Sequence, residues 1–520
     1  MNITIKPLGG VGQIGSNSTL FSDNNSHIII DAGILFPNDS NFDINYLIPD
    51  LSKVEEKIDA IIITHGHEDH IGAISHFIDY FPEAKIYAPK FARALIISKL
   101  NHKNISKEII PLPERLKIGN FEVCSIHVNH SIPDTKGLVI NHGENSILFI
   151  SDFKLDNENI YEKYFDFNAL KEFSTGSFKI AMLDSTNIRS KTLHTPSESS
   201  VQKDLEKIIL ETERNCFITT FASNVHRVQT IINICKKHGL ACIPYGPSMK
   251  RYIEIAENLD MLNTYDVIYE PQDRSIKRKK VIIATGSQGE FRGATTRIAT
   301  GNDKHFKLTE NDSFIFSSKA IPGNEKTLAN LYNKITKTGA NIYTSDSYQI
   351  HVSGHPGKKD LADVYEAFQP NIAIPIHGES FFIKDHKEFV LANNYAEQSF
   401  AIENFDQILI SNKKVKITQS EEIPPLIIHG NDLEIEREKI SERRKLATLG
   451  VVFISLSKKS VSYTTMGIPN ISDQDNELFI GHLRELNASN KDSDEEIRIY
   501  TRRFFGNLLG YRPIAVVQSL

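Results

Sequence analysis

The segment Thr64-His65-Gly66-His67-Glu68-Asp69-His70 gathers three histidines and an aspartate within six positions, directly after the apolar run Ile61-Ile62-Ile63. Neutral imidazole and carboxylate are the ligands that zinc and related divalent ions take from proteins. A strand-to-helix turn here lets His65 and His67 point one way while Asp69 and His70 diverge to a neighbouring point. One short loop can therefore feed two adjacent ions. The same loop without metal would crowd imidazoles that repel one another once protonated. Further candidate ligands are His130 after Phe121 to Val128, Asp152 after Ile147 to Ser151, and His377 after Ile372 to Ile376. Each stands just past the C-terminal end of an apolar strand, where the ligands of sheet-based folds converge.

The elements that must position these residues read as strands first. Ile3 to Leu8, Ser18 to Ser22 and His27 to Asp31 are short and β-rich, with turns at Gly or Asn/Asp. A buried strand is expected at Asp59 to Thr64 and a helix from about His70 to Phe81. Strands follow at Lys85 to Ala88, Phe121 to Val128 and Ser146 to Ile150. From about Ser199 the texture changes: helical segments at Ser200 to Thr212 and Val225 to His238 alternate with strands at Cys216 to Thr220 and Val281 to Ala284. That alternation predicts a separate α/β unit with a parallel sheet. The earlier style is expected to return around Asn341 to Ile350. A polar stretch with Pro424-Pro425 reads as a linker, and strands at Gly450 to Leu456 and Ile514 to Val517 flank a helix in a last segment.

One motif points elsewhere. Gly10-Val11-Gly12-Gln13-Ile14-Gly15 matches the dinucleotide-binding pattern, with Asp31 at a suitable distance. That reading needs a helix to start at the loop and hold the pyrophosphate. Ser16 to Phe21 reads as a strand, so a tight glycine turn in a hairpin is expected.

Composition bounds the answer. At 520 residues, two or three domains are expected. No apolar run is long enough for a membrane span, and the first residues lack a signal peptide's apolar stretch. Cys124, Cys216, Cys235 and Cys242 are scattered, which disfavours a disulfide framework or thiolate zinc site and suits a reducing cytosol. The net charge of −6 argues weakly against nucleic acid, yet Arg274 to Lys280 and Arg437 to Lys445 are basic clusters. A solvated surface explains each cluster equally well.

The H-x-H-x-D-H motif with His130, Asp152 and His377 resembles the metallo-β-lactamase superfamily, an αββα sandwich. The resemblance implies one ion on His65, His67 and His130, a second on Asp69, His70 and His377, and Asp152 bridging them. Asp31 matches the aspartate that buttresses the histidine loop in that family. More than two hundred residues separate Asp152 from His377 and carry motifs similar to those of the β-CASP nucleases: Asp184-Ser185-Thr186-Asn187, Thr195-Pro196-Ser197-Glu198, Phe221-Ala222-Ser223-Asn224-Val225-His226-Arg227, Thr285-Gly286-Ser287-Gln288-Gly289-Glu290, Ile321-Pro322-Gly323-Asn324-Glu325 and His351-Val352-Ser353-Gly354-His355. With Gly9 to Asn17, the set resembles the bacterial ribonuclease J family over roughly residues 1–415. An α/β chain is implied, with a sandwich at 1–205 and 346–415, an inserted β-CASP domain at 206–345, a linker at 416–440 and a small α+β domain at 441–520.

The resemblance implies a metal-dependent ribonuclease, 5′-to-3′ exonuclease and endonuclease, acting in mRNA decay and rRNA processing in the cytoplasm. Zinc is the first expectation for the two ions and manganese the second. His355 is expected to be the acid for the departing 3′-oxygen, oriented by Glu198, with Asp69 and Asp152 serving the catalytic centre. His351, Ser353 and Gly354 are expected to grip phosphate, and Ser223, Asn224, His226 and Arg227 to line the RNA path. Capping of the following helix is a nearly equal expectation for Ser223 and Asn224. Partners implied are RNA, a second copy in a homodimer or homotetramer through the C-terminal segment, and RNA-degradation proteins. Ser151, Phe291 and the sequence Gly246-Pro247-Ser248-Met249 depart from the family pattern. A DNA nuclease, a small-ester hydrolase of the same fold and a weakly active RNA-binding subunit are the rival readings.

Overall fold

β-branched runs at the N-terminus fold into the strands Ile3–Gly9, Ser18–Ser22 and His27–Ile30, joined as antiparallel neighbours. In the computed structural model, which describes residues 2–37, 44–273, 275–290, 293–321, 324–457, 460–488 and 493–519, the chain divides into two units. One comprises 1–36 with 48–425, the other 37–47 with 426–520.

In the first unit the N-terminal strands continue in parallel through Ala60–Ile62, Lys85–Ala88 and Ile109–Pro111. Gln407–Ser411 and Lys414–Thr418 close the other side of this sheet. A second sheet runs Arg115–Ile118, Phe121–His127, Lys136–His142, Asn145–Ile150, Phe178–Leu183, Ile372–Ala373 and Gln398–Ser399. The sheets face each other through Phe21, Ile28, Ile62, Phe121, Leu138, Phe149 and Met182, all buried. Beyond the second sheet, Leu148, Ala181 and Leu183 pack against helical residues such as Leu170, Leu361, Tyr365 and Val390. The expected αββα sandwich is observed.

Two details differ from expectation. The helix expected over His70 to Phe81 is two helices, Glu68–Ile71 and Ile74–Tyr80, broken at Gly72-Ala73. Asn341–Thr344 does not return to the sandwich: it pairs with Ser313–Phe316 as an edge of the inserted sheet. That sheet is parallel throughout, in the order Ala241–Tyr245, Lys280–Ala284, Cys216–Thr219, Ser313–Phe316, Asn341–Thr344. Its core joins Phe217, Ile243, Ile282 and Phe314 to Ile298, Leu328, Leu331 and Ile335.

In the second unit, Leu426–His429 and Leu433–Ile435 form a small sheet with Ile44–Ile48. The stretch 416–440, expected as a linker, is thus partly folded. Ile427 and Ile435, directly paired across the two strands, are buried with Ile440 on one face. The basic residues from Arg437 to Lys445 lie on the helix Arg437–Leu449, which buries Ile440. Val451–Leu456 pairs with Ile514–Ser519 and also with the unexpected strand Val461–Met466. Two helices, Asp473–Ala488 and Ser493–Leu509, occupy the place of the single expected one. Among the described residues no helix is long and apolar enough to cross a membrane.

Candidate metal centre

His65 and His67 leave the end of Ala60–Ile62, and His67 caps the helix Glu68–Ile71, its carbonyl accepting from the N–H of His70 and Ile71. Asp69 and His70 therefore sit on the first helical turn and open toward a second point, as expected from their spacing. His130, Asp152 and His377 arrive from the ends of Phe121–His127, Asn145–Ile150 and Ile372–Ala373. The ligand atoms of His65, His67 and His130 form one tight group, and those of Asp69, His70 and His377 form another. Asp152 lies between: Oδ1 is 3.0 Å from His70 Nε2, while Oδ2 is 3.5 Å from His130 Nε2 and 3.4 Å from His377 Nε2.

Hydrogen bonding fixes which ring nitrogens are free. Thr64 Oγ1 donates to the Asp31 carboxylate at 2.8 Å, so it accepts from His65 Nδ1 at 3.0 Å. His130 Nδ1 donates to the Gly354 carbonyl at 2.8 Å. His70 Nδ1 donates to Asp31 Oδ2 and His377 Nδ1 to Asn17 Oδ1, each at 2.8 Å. All four rings thereby turn a bare Nε2 inward, the arrangement by which second partners of metal-bound histidines select the tautomer. His67 Nδ1 lies 3.1 Å from both His65 Nε2 and His130 Nε2. Nitrogen atoms around a tetrahedral zinc ion are about 3.3 Å apart, given Zn–N bonds near 2.05 Å.

Charge tells the same story. Asp31 and Asp152 are buried, Asp69 is partly so, and Asp152 Oδ1 finds no hydrogen-bond donor among the described residues. Burial holds His65 and His130 well below the ordinary histidine range and pulls His67 to about 4. Burial also opposes charge on His70, but Asp152, Asp69 and Asp31 outweigh it and hold this ring well above the ordinary range. Without ions the carboxylates thus draw a proton onto His70 while His65, His67 and His130 resist one. Divalent cations fit that demand for positive charge, leaving Nε2 of His70 bare.

The backbone is bent to serve the site. Asp31 has φ 65° and His377 φ 51°, left-handed values that are costly for non-glycine residues. His377 is held there by its carbonyl, which accepts from Thr186 Oγ1 at 3.1 Å. Gly354 has to be glycine: a Cβ would come 2.7 Å from the His130 ring that its carbonyl fixes.

The His355 ring lies beside those of His130 and His377, with centroids 5.1 and 5.5 Å away. Its Nδ1 donates to Asp184 Oδ2 at 2.7 Å and lies 3.8 Å from Asp152 Oδ2. Burial works against its charge, but Asp184, with help from Asp152 and Asp69, raises its pKa to about 9. The expectation that Glu198 orients His355 is corrected: Glu198 is buried against Arg227, with Nη2 3.0 Å from Oε2. Arg227 also donates to Ser317 Oγ and to the carbonyls of Ser317 and Ile350, so this fully buried guanidinium braces the fold. Asn224 caps the helix Val225–His238, accepting from Arg227 N, and is buried. His226 is buried with its ring stacked on Tyr161 at 5.4 Å. A buried helix turn explains all three better than an RNA path does.

Ser223 does reach the centre, its Oγ 3.1 Å from His67 Nε2. Ser353 Oγ accepts from Asn187 Nδ2 at 2.9 Å and His355 N at 3.2 Å, which leaves its own proton to donate. Burial, with Arg227 and Lys319, pulls His351 to about 3, which favours a neutral ring. Within the Thr285 to Glu290 motif, Gln288 braces the backbone at Lys319 and Ile321. Phe291, Pro322, Gly323 and Arg274 lie outside the described residues.

Sequence reasoning missed Asn17. Its Nδ2 lies 3.0 Å from His70 Nε2, 3.2 Å from Asp69 Oδ2 and 3.1 Å from the Asp69 carbonyl, while Oδ1 holds His377. Gly10, at φ 85°, makes room for it, since a Cβ there would sit 2.4 Å from Asn17 Oδ1. The glycine-rich loop is thus a hairpin that delivers an amide to the metal centre.

Comparison with known proteins agrees with this geometry. Residues 213–335 match the family described as ribonuclease J, β-CASP domain; residues 11–211 match the metallo-β-lactamase superfamily; residues 341–390 match the Zn-dependent metallo-hydrolase RNA specificity domain. Ribonuclease J of Synechocystis sp. is 30% identical over 482 residues, covering 90% of this chain and 75% of its own length. Ribonuclease J of Sinorhizobium meliloti is 31% identical over 482 residues, covering 89% of this chain and 84% of its own. A crystal structure of a protein of unknown function from Enterococcus faecalis V583 shares the fold, with TM-score 0.57 at 17% identity over 79% of this chain and all of that one. With identity of this extent along most of both partners, the chain belongs to the ribonuclease J family.

Proposed function

We propose that this chain, a metal-dependent ribonuclease by its family, hydrolyses RNA at a two-ion centre with His355 as the acid. The observation that carries the reading is the inward convergence of four bare Nε2 atoms and His67 Nδ1 around Asp152. His65, His67 and His130 would hold one ion, and Asp69, His70 and His377 the other, with Asp152 shared. When bound, such a pair supplies Lewis acidity toward water and neutralises charge on the phosphoryl oxygens.

The chain's own residues supply the rest. Asp184 takes the Nδ1 proton of His355 as a hydrogen bond and keeps the ring cationic near neutral pH, leaving Nε2 to give a proton to the departing 3′-oxygen. Ser353 Oγ and the Gly354 N–H are the proposed phosphate donors beside it. Asp31, Thr64, Asn17 and the Gly354 carbonyl hold the ligand rings in register, so no reorganisation is needed as charge develops.

Zinc or manganese as the ions, 5′-to-3′ exonuclease with endonuclease activity in cytoplasmic RNA decay and maturation, and self-association belong to the same proposal. So do the domain limits 1–205, 206–345, 346–415 and 441–520. Cleavage of matched RNA and DNA strands, with ions added or chelated and with 5′-monophosphate or 5′-triphosphate ends, tests the reading. Metal-dependent cleavage of RNA is expected; equal or better DNA cleavage would contradict it.

A further inference from the structure

The basic run ending at Lys280 is not absorbed by the metal centre. Residues 276–280 fold against Arg214, His305 and Lys307 from two other parts of the inserted domain, and together they line a cleft of about 440 Å³. Two of its cations are structural. Arg214 pairs with Asp312, and Lys279 Nζ donates to the carbonyls of Ile209 and Leu210. The others face outward: Lys277, Arg278, His305 and Lys307 are exposed and Lys280 is half-buried. Arg278, though exposed, is tethered: it lies over the Tyr269 ring at 5.0 Å and its Nη1 donates to the Gly239 carbonyl at 3.3 Å. Lys277, Lys280 and Lys307 make no ion pair among the described residues, apart from a longer-range attraction between Lys280 and Asp273. Among the described residues, Glu213 is the one carboxylate in the lining. In a chain of net charge −6, cations gathered in such excess over their counter-charges repel one another and draw an anion.

The cleft's place in the sheet separates it from the scissile bond. It opens beside the N-terminal ends of Cys216–Thr219 and Lys280–Ala284. Ser223, which follows the C-terminal end of the first of these strands, is the residue that touches His67. The strand alone therefore sets about 10 Å between the two, at roughly 3.3 Å per residue.

We propose that this cleft is an RNA exosite, binding backbone phosphates of a substrate segment remote from the cleaved bond. The proposal rests on the ribonuclease reading above, and RNA is the polyanion that reading brings to the protein. Lysines as mobile point charges suit a backbone of repeating phosphates and carry no sequence preference.

The test pairs Lys277→Glu with Lys307→Glu, both exposed, and uses Lys53→Glu with Lys57→Glu as a control of the same net charge. Binding of a 40-nucleotide single-stranded RNA is measured across a KCl series in an Asp152→Asn background, and turnover of a pentanucleotide is measured in the otherwise unchanged holoenzyme. The double variant is expected to bind the long RNA roughly tenfold more weakly at low salt, with the slope of log K against log salt shallower by about 1.4, near 0.7 per lost phosphate contact. The control keeps its slope, and pentanucleotide turnover is unchanged. Lys277→Gln with Lys307→Gln shows the same slope change if charge reversal disturbs folding. An unchanged slope, an equal loss in the control, or an equal fall in pentanucleotide turnover would overturn the exosite; the first of these includes the case in which the cleft serves a protein. Failure of the parent enzyme to cut the pentanucleotide would instead overturn the ribonuclease reading, and the binding slopes would still decide the exosite.

Discussion

His355 is paired with Asp184, Nδ1 to Oδ2 at 2.7 Å, while Glu198 is paired with buried Arg227. Two acids of similar sequence setting thus do different work. Asp184→Asn removes the charge that keeps His355 protonated. It is expected to lower kcat by roughly 10²- to 10⁴-fold with little change in KM, the range of a general-acid contribution. Glu198→Gln leaves a buried guanidinium without its counter-ion and is expected to cost about 3–5 kcal/mol of stability. Steady-state kinetics and denaturant unfolding of both variants check the split, and the reverse pattern would mean that Glu198 serves His355.

Asn17 should matter for one ion more than the other, because it holds His377 and touches Asp69 and His70 but none of His65, His67 or His130. Asn17→Ala is expected to weaken binding of the second ion by about 10–100-fold, the usual effect of losing a partner behind a ligand. Metal content after dialysis against a weak chelator should fall from two ions toward one. Equal loss of both ions would contradict this role.

Removing the ions should also loosen the fold. Asp31, Asp69 and Asp152 would then share too little positive charge, and a ligand bound at 100 times its dissociation constant stabilises by about 2.7 kcal/mol. A chelated sample is expected to melt at a lower temperature, and adding zinc or manganese should restore the melting point. A melting point unmoved by chelation would argue against resident ions.

His386 gives a pH signature away from the metal. It is buried between Ser185 Oγ at 3.0 Å and Tyr365 OH at 2.9 Å, and burial pulls its pKa to about 3. The unfolded ring takes up a proton near pH 6.5. The folded ring refuses it until about pH 3. Its contribution is therefore complete above pH 6.5 and is lost as pH falls toward 3, at up to about 1.4 kcal/mol per pH unit. His386→Gln should flatten the acid limb of the stability curve by one proton between pH 4 and 6. Parallel curves would show that the buried ring is not what titrates.

Much of this site was legible because its ligands follow strands that are themselves plain in sequence. Ile61-Ile62-Ile63 announces a buried strand, and His65 to His70 after it can hardly be structural filler. His130, Asp152 and His377 were readable for the same reason. The pairing partners were not. Nothing in a linear pattern distinguishes Asp184 from Glu198 as the partner of His355, since both choices depend on where Arg227 comes to rest. Asn17 lay hidden in a glycine-rich loop whose spacing mimics a nucleotide-binding turn, and only its closure into a hairpin turns that amide inward. The stretch 416–440 looked like a linker because its strands are only three to five residues long and carry few apolar residues between polar ones.

The central claim is that a pair of divalent ions straddles Asp152. Anomalous diffraction from crystals grown with zinc or manganese measures it directly. Two peaks about 3.5–4 Å apart are predicted, one against His65, His67 and His130 and the other against Asp69, His70 and His377. Crystals with ample metal that show no peak beside Asp152, or a single one away from these residues, would contradict it.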